Sequence, residues 1–144
     1  MADQIGHLAK WIIAPDIVAG GGASLEMSIR WRQRWDKCPA LLAVQDGMTP
    51  EDLLPHLNQR TGVAIGGTTE FKIRTLPEWA KLAHHVGCYL HVLRVNSRRR
   101  LVACALGGAD SIDGTSATVF SVNAPKIRRW VDEIHRQPTL GLWK

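Results

Sequence analysis

Five short runs of apolar, β-type residues alternate along the chain with longer amphipathic segments, and no tight hairpin signal joins one run to the next. The runs are "WIIAPDIV" (11–18), "ALLAVQD" (40–46), "GVAIGGT" (62–68), "YLHVLRV" (89–95) and "ADSIDGTSATVFS" (109–121). Antiparallel neighbours are joined by hairpins, whereas parallel strands need a long crossover, usually a helix. Near-continuous apolar strands are those covered on both faces. The alternation therefore predicts an α/β chain of five consecutive parallel strand–helix units.

The intervening segments carry helix signals of their own. In "LEMSIRWRQRW" (25–35), Met27, Trp31 and Trp35 recur at four-residue spacing, as do Leu25 and Ile29. In "GMTPEDLLPHLNQ" (47–59), Thr49 and Asp52 have the spacing of a capping box, with Pro50 in the first turn. Thr75 and Glu78 repeat that spacing at the head of "TLPEWAKLAHHVG", and Gly87 reads as its stop. Asn96 or Ser97 is placed to cap "RRRLVACALGG", and Asn123 to cap "NAPKIRRWVDEIHRQ". The first ten residues read as a short lead-in helix.

The 144 residues suffice for a single domain over 1–144, and a 45% hydrophobic, 22% charged composition is that of a folded globular chain. No apolar run is long enough to span a bilayer, and no leader pattern opens the chain, so the expectation is a cytoplasmic protein with no membrane association. Cys38, Cys88 and Cys104 are odd in number and widely spaced, which argues against a disulfide framework or a structural zinc site. The net charge of +5 gathers in clusters at Arg30, Arg32 and Arg34, at Arg98, Arg99 and Arg100, and at Lys126, Arg128 and Arg129. Such clusters suit nucleic-acid phosphate, and equally a solvated basic surface.

Two architectures fit five such units. One is a doubly wound sheet with its ligand site where the strand order reverses; the other is part of a (β/α)8 barrel, which in full needs about 250 residues. In both, function gathers at the C-terminal ends of the strands, so Asp16, Gln45, Asp46, Arg94, Asp110 and Asp113 would share one mouth. Carboxylates there suit nucleophilic or acid–base work on a glycosidic bond. An amide beside a carboxylate suits reading the edge of a flat base. Asp46-Gly47 is equally a plain turn, the glycines of "AGGGAS" and "IGGTT" match no phosphate-loop pattern, and His84, His85 and His91 read as surface or core histidines.

Taken in order, the strand ends resemble the C-terminal part of the tRNA-guanine transglycosylase family, and most of all its relatives that insert 7-deazaguanine bases into DNA. Asp16 followed by "SLEMSIRW" (24–31) is similar to an Asp followed by S-x-x-x-S-x-x-W. "AVQDGMTPEDL" stands where the family has a Val-Gln-Gly strand end, and "VAIGGT" where it has "YAIGGL". "YLHVLRV…GADSIDGT" (89–115) matches "YLMGVG…GVDMFDCV". The resemblance covers roughly residues 11–115 and implies a partial TIM-type barrel of five βα units. It further implies that Asp113 is the carboxylate that attacks the sugar. Asp16 and Gln45 would bind the guanine-like base, with Gly67 and Thr68 contacting it as well. From their position at strand ends, Asp46, Gly66 and Arg94 join them as candidate substrate-binding residues, and Arg98, Arg99 and Arg100, at a helix start, are the candidate phosphate contacts.

What the resemblance implies is a base-exchanging glycosyltransferase acting on guanine in DNA or tRNA, with guanine or a 7-deazaguanine as the exchanging base. The chain departs from the family in two ways. The family's barrel has three strands ahead of the one matching "WIIAPDIV", which bear a second catalytic aspartate, and this sequence starts after them. The family's tRNA enzymes bind zinc through a CxCxxC…H cluster, and no cysteine follows Asp113, so no metal and no cofactor are expected. A five-stranded fragment would have two unpaired edges. The expected partner is therefore a separately encoded N-terminal barrel half or a second copy of the chain. A non-catalytic nucleic-acid or base-binding accessory subunit is the competing reading, and a flavodoxin-like domain binding a phosphorylated ligand through "NSRRR" is a third.

Overall fold

The computed structural model describes residues 9–115 and 121–136. Its elements alternate: β1 (Ile12–Ile13), α1 (Gly21–Arg34), β2 (Ala40–Val44), α2 (Pro50–Leu53), β3 (Thr61–Ile65), α3 (Thr69–Val86), β4 (Leu90–Val92), α4 (Arg98–Leu106), β5 (Ser111–Ile112) and α5 (Ala124–Arg136). All four strand pairings are parallel and the order is β1-β2-β3-β4-β5. A sequential order contains no point of reversal, so the doubly wound, flavodoxin-like alternative is set aside. The sheet is curled into a half-barrel.

Ring contacts show how tight the curl is. Trp11, just before β1, packs its ring 4.7 Å from that of His91 and 5.9 Å from that of Tyr89, at β4. In a flat sheet, strands three places apart lie about 14 Å from each other. The concave face is lined by Leu41, Ala43, Gly62 and Ala64, small residues at its middle. Gly62 has no room for a side chain, since a Cβ would meet the Tyr89 backbone and Leu41 Cδ2. The convex face carries Leu42, Val44, Val63, Ile65, Leu90 and Val92, which pack with Leu25, Leu53, Phe71, Leu76, Trp79 and Leu101 of the helices. Each such side chain contributes roughly 1.5–3 kcal/mol on burial.

Several local expectations hold. Asp52 Oδ2 accepts from the Thr49 N–H at 2.8 Å, closing the capping box of α2. The Ser97 side chain accepts from Arg100 N at the head of α4, and Gly87 ends α3 at φ 73°. Others do not. The helix α3 starts at Thr69, not at Thr75, because Thr68 takes the cap, accepting from Phe71 N at 3.2 Å. Thr75 then lies inside the helix with its hydroxyl donating to Phe71 O at 2.7 Å, and Pro77 lies inside too. Burial of Phe71, Lys72, Leu76, Trp79, Ala80 and Ala83 along one face outweighs the backbone bond that Pro77 cannot make. The helix expected over 47–59 is only Pro50–Leu53, followed by a 3-10 turn, Leu54–His56, at the second proline, Pro55. The fifth strand is limited to Ser111–Ile112, and the rest of its expected run at 116–120 lies outside the described residues, as does the lead-in segment 1–8.

Candidate functional site

The loop after β1 carries Asp16 and is held by two buried serines of α1. Ser24 Oγ accepts from the Ile17 N–H at 2.8 Å, and Ser28 Oγ donates to Pro15 O at 2.7 Å. The S-x-x-x-S spacing is thus one helical turn that points both hydroxyls at the loop. With the loop fixed, Gln45, 6% exposed at the end of β2, donates its amide to Asp16 Oδ2 at 3.0 Å and to Ile17 O at 2.9 Å. Both amide hydrogens are spent. Gln45 Oε1 is buried and has no hydrogen-bond partner.

Asp46 turns the other way. Its carboxylate accepts from the Thr68 N–H at 2.7 Å and the Thr68 hydroxyl at 2.6 Å, tying the end of β2 to the start of α3. Those bonds, the side-chain one first, hold the Asp46 carboxyl below the usual range. Gly67, at φ 72°, lies against it, and a Cβ there would strike the carboxylate. Asp46, Gly67 and Thr68 therefore form one clamp, and Gly66 closes on the Val44 carbonyl beside it at 2.8 Å.

At β4 and β5 the register pairs His91 with Ser111 and Val92 with Ile112. Asp113 follows Ile112, with its side chain 48% exposed. One carboxylate oxygen accepts from the Arg94 N–H; the other lies 3.4 Å from His91 Nε2. Arg94 adopts φ 56°, unusual for a non-glycine residue, and its carbonyl together with that of Leu93 receives the buried Lys72 ammonium at 3.4 and 2.6 Å. Burial, then Arg94 and Arg100, pushes the Lys72 pKa down. Asp110 serves the sheet, its carboxylate accepting from Leu90 N at 2.8 Å.

Gln45, Gly66, Leu93 and Asp113 each follow directly on a register row, Val44–Ile65–Val92–Ile112, so they form one layer across the concave rim. The basic residues lie farther along: Arg98 pairs with Glu133 of α5 at 3.0 Å, Arg99 is exposed and Arg100 half-buried. Two shallow depressions of about 420 and 300 Å³ lie elsewhere, one on α5 beside Arg128 and Arg129, the other beside Arg32 and Thr61. Neither includes a rim residue. Among the described residues no three His, Cys, Asp or Glu side chains gather as metal ligands, and no helix is long and apolar enough to cross a membrane.

No family model, no curated protein and no solved structure matches the chain. The functional weight therefore rests on the rim itself. Sequence reasoning passed over two of its members. His91, read as a core histidine, is buried but faces Asp113, and Lys72 was unmarked on a helix. A signal for His91 exists: it is a polar residue at an inward position of an apolar strand, with the same parity as the small residues of β2 and β3.

Proposed function

We propose that this chain is the C-terminal, five-unit part of a TIM-type barrel enzyme, a base-exchanging glycosyltransferase of the tRNA-guanine transglycosylase type. The observation that carries the reading is the buried Gln45 Oε1, an acceptor with no donor, on the same rim as the exposed Asp113 carboxylate. A guanine-like base offers N–H donors along one edge, so the orphan acceptor and the second oxygen of Asp16 suit it. The Asp113 carboxylate attacks the sugar C1′, a C–O bond forms, and the C–N bond breaks with its electrons leaving on the base. The departing base takes a proton from solvent; the entering base then attacks C1′ through nitrogen, the C–O bond breaks with its electrons returning to the Asp113 carboxylate, and the N–H proton passes to solvent. DNA or tRNA is the substrate polymer, in a cytoplasmic setting, with the exposed Arg94 just after β4 and the exposed Arg99 farther along as phosphate contacts.

A partner is part of this reading. Among the described residues β1 pairs only with β2 and β5 only with β4, so both outer edges are open. A separately encoded N-terminal half or a second copy would cover them. The open edges also favour the second reading, an accessory subunit that keeps the base-binding rim without the chemistry. The deciding experiment incubates the chain, alone and with a candidate partner half, with guanine-containing DNA and tRNA and labelled 7-deazaguanine. Label should enter one polymer and not in the Asp113→Asn variant. Binding of the base without incorporation, under every pairing, selects the accessory subunit.

A further inference from the structure

We propose that His91 is the positioning residue of Asp113, presenting an Nε2–H to its carboxylate with Ser111 fixing the tautomer. The inference rests on the reading of Asp113 as nucleophile. His91 is 2% exposed, and both ring nitrogens face β5: Nδ1 lies 2.7 Å from Ser111 Oγ, and Nε2 lies 3.4 Å from Asp113 Oδ2. Trp11 covers the ring from β1. A structural buried histidine has both nitrogens hydrogen-bonded, yet here Nε2 is buried without such a bond. Asp113 Oδ2, at 3.4 Å, is the acceptor placed to supply it.

The tautomer follows from the neighbours. A carboxylate oxygen can only accept, so the favoured form carries the proton on Nε2, leaving Nδ1 to accept from the Ser111 hydroxyl. The charged and titratable groups around the pair are Asp113 itself, Tyr89 with Lys10 over its ring, and Lys72 under the Leu93 and Arg94 carbonyls. Burial lowers the His91 pKa and Asp113 opposes the shift, so the ring is neutral at neutral pH. With Nδ1 on Ser111 and the Nε2–H aimed at Asp113, the ring has no free N–H to offer a leaving base, which leaves orientation. Acid converts the ring to imidazolium, which pairs with Asp113 and weakens it as a nucleophile.

Histidine-selective 15N NMR on the full chain reads the pair without any substrate. The expected result is the Nε2–H tautomer for His91, a lowered His91 pKa in Asp113→Asn, and mixed tautomers in Ser111→Ala. An unchanged His91 titration in Asp113→Asn, or a dominant Nδ1–H form, overturns the proposal. In the exchange assay, His91→Phe should lose about 10²-fold in rate. His91→Gln, which keeps a donor near the Nε2 position, should recover much of it and flatten the acid limb of the pH profile. A His91→Gln profile with the parental acid limb also overturns the proposal. A coupled pair by NMR in a chain that exchanges no base upholds the pairing and refutes the base-exchange reading instead.

Discussion

Replacing Gln45 with Met distinguishes a residue retained for a ligand from one retained for the fold. The variant loses the amide bonds to Asp16 Oδ2 and Ile17 O. The first is charge-assisted but ends on an exposed carboxylate, worth about 1.5 kcal/mol, and the second about 1 kcal/mol. Both acceptors belong to exposed residues and reach water once the amide is gone. Against this stands Oε1, buried without a partner, whose desolvation costs roughly 1–3 kcal/mol and vanishes with the amide. Met is close to Gln in length and flexible enough to leave no cavity. The ligand-free variant should therefore unfold within about 1.5 kcal/mol of the parent. With a urea slope of about 1.5 kcal/mol per M, the midpoint moves by no more than about 1 M. Binding of guanine, measured by calorimetry, should be lost. A glutamine whose amide is fully satisfied would instead cost more than about 3 kcal/mol, a midpoint shift of about 2 M. That larger loss would show that Gln45 is a structural amide, and the strongest support for a base-binding rim would be gone.

Gly62→Ala places a methyl against the Tyr89 backbone between β3 and β4, where nothing can rotate aside. It should destabilise by about 2–3 kcal/mol in the same urea assay, despite the gain in helping to order the unfolded chain. Thr68→Ala removes the hydroxyl's bond to Asp46 and the side-chain cap of α3, and leaves the backbone N–H bond to Asp46 in place. Thermal unfolding should register about 1 kcal/mol from the cap, and NMR titration should find the Asp46 carboxyl back toward its ordinary range. Lys72 has a folded-state pKa below its ordinary 10.5. Between those two values the unfolded chain holds a proton that the folded chain has released, so stability rises with pH across that window and is flat on either side. The Lys72→Met variant should lack this rise when unfolding is followed between neutral pH and pH ~10.5.

The fold was readable because its signals are local and repeated. Each strand run is bounded by its own cap or glycine, and the lack of hairpin turns alone required parallel pairing. The failures are cases in which tertiary burial overrode a local signal. Thr75, Pro77 and Glu78 look like a helix start in isolation, but the apolar stripe from Phe71 to Ala83 extends the helix backward to Thr68. Pro55 acted in the opposite sense, stopping a helix that the capping box at Thr49 had begun well. Curl was unreadable from any one run, since it depends on small residues at Ala43, Gly62 and Ala64 lying side by side in three-dimensional register.

The rim separated along the same line. Asp16 and Gln45 were visible as polar residues at strand ends, and the structure joins them by one hydrogen bond. Asp46 sits at an equally polar end, yet both of its oxygens are engaged by Thr68, which makes it a fastener between β2 and α3. Sequence position alone gives the two aspartates the same standing, and only the partner list separates them. The same holds for Asp110 and Asp113, three residues apart. The first is fixed on Leu90 N within the sheet, while the second leaves its carboxylate half exposed between a backbone N–H and an imidazole. Asp113 is held by one backbone N–H and faces one ring nitrogen, an arrangement that suits the attack on C1′ proposed for it. A lysine or arginine on the same oxygens would have given a structural ion pair. Lys72 comes near, but spends its donors on the Leu93 and Arg94 carbonyls, shaping the turn that delivers the Arg94 N–H.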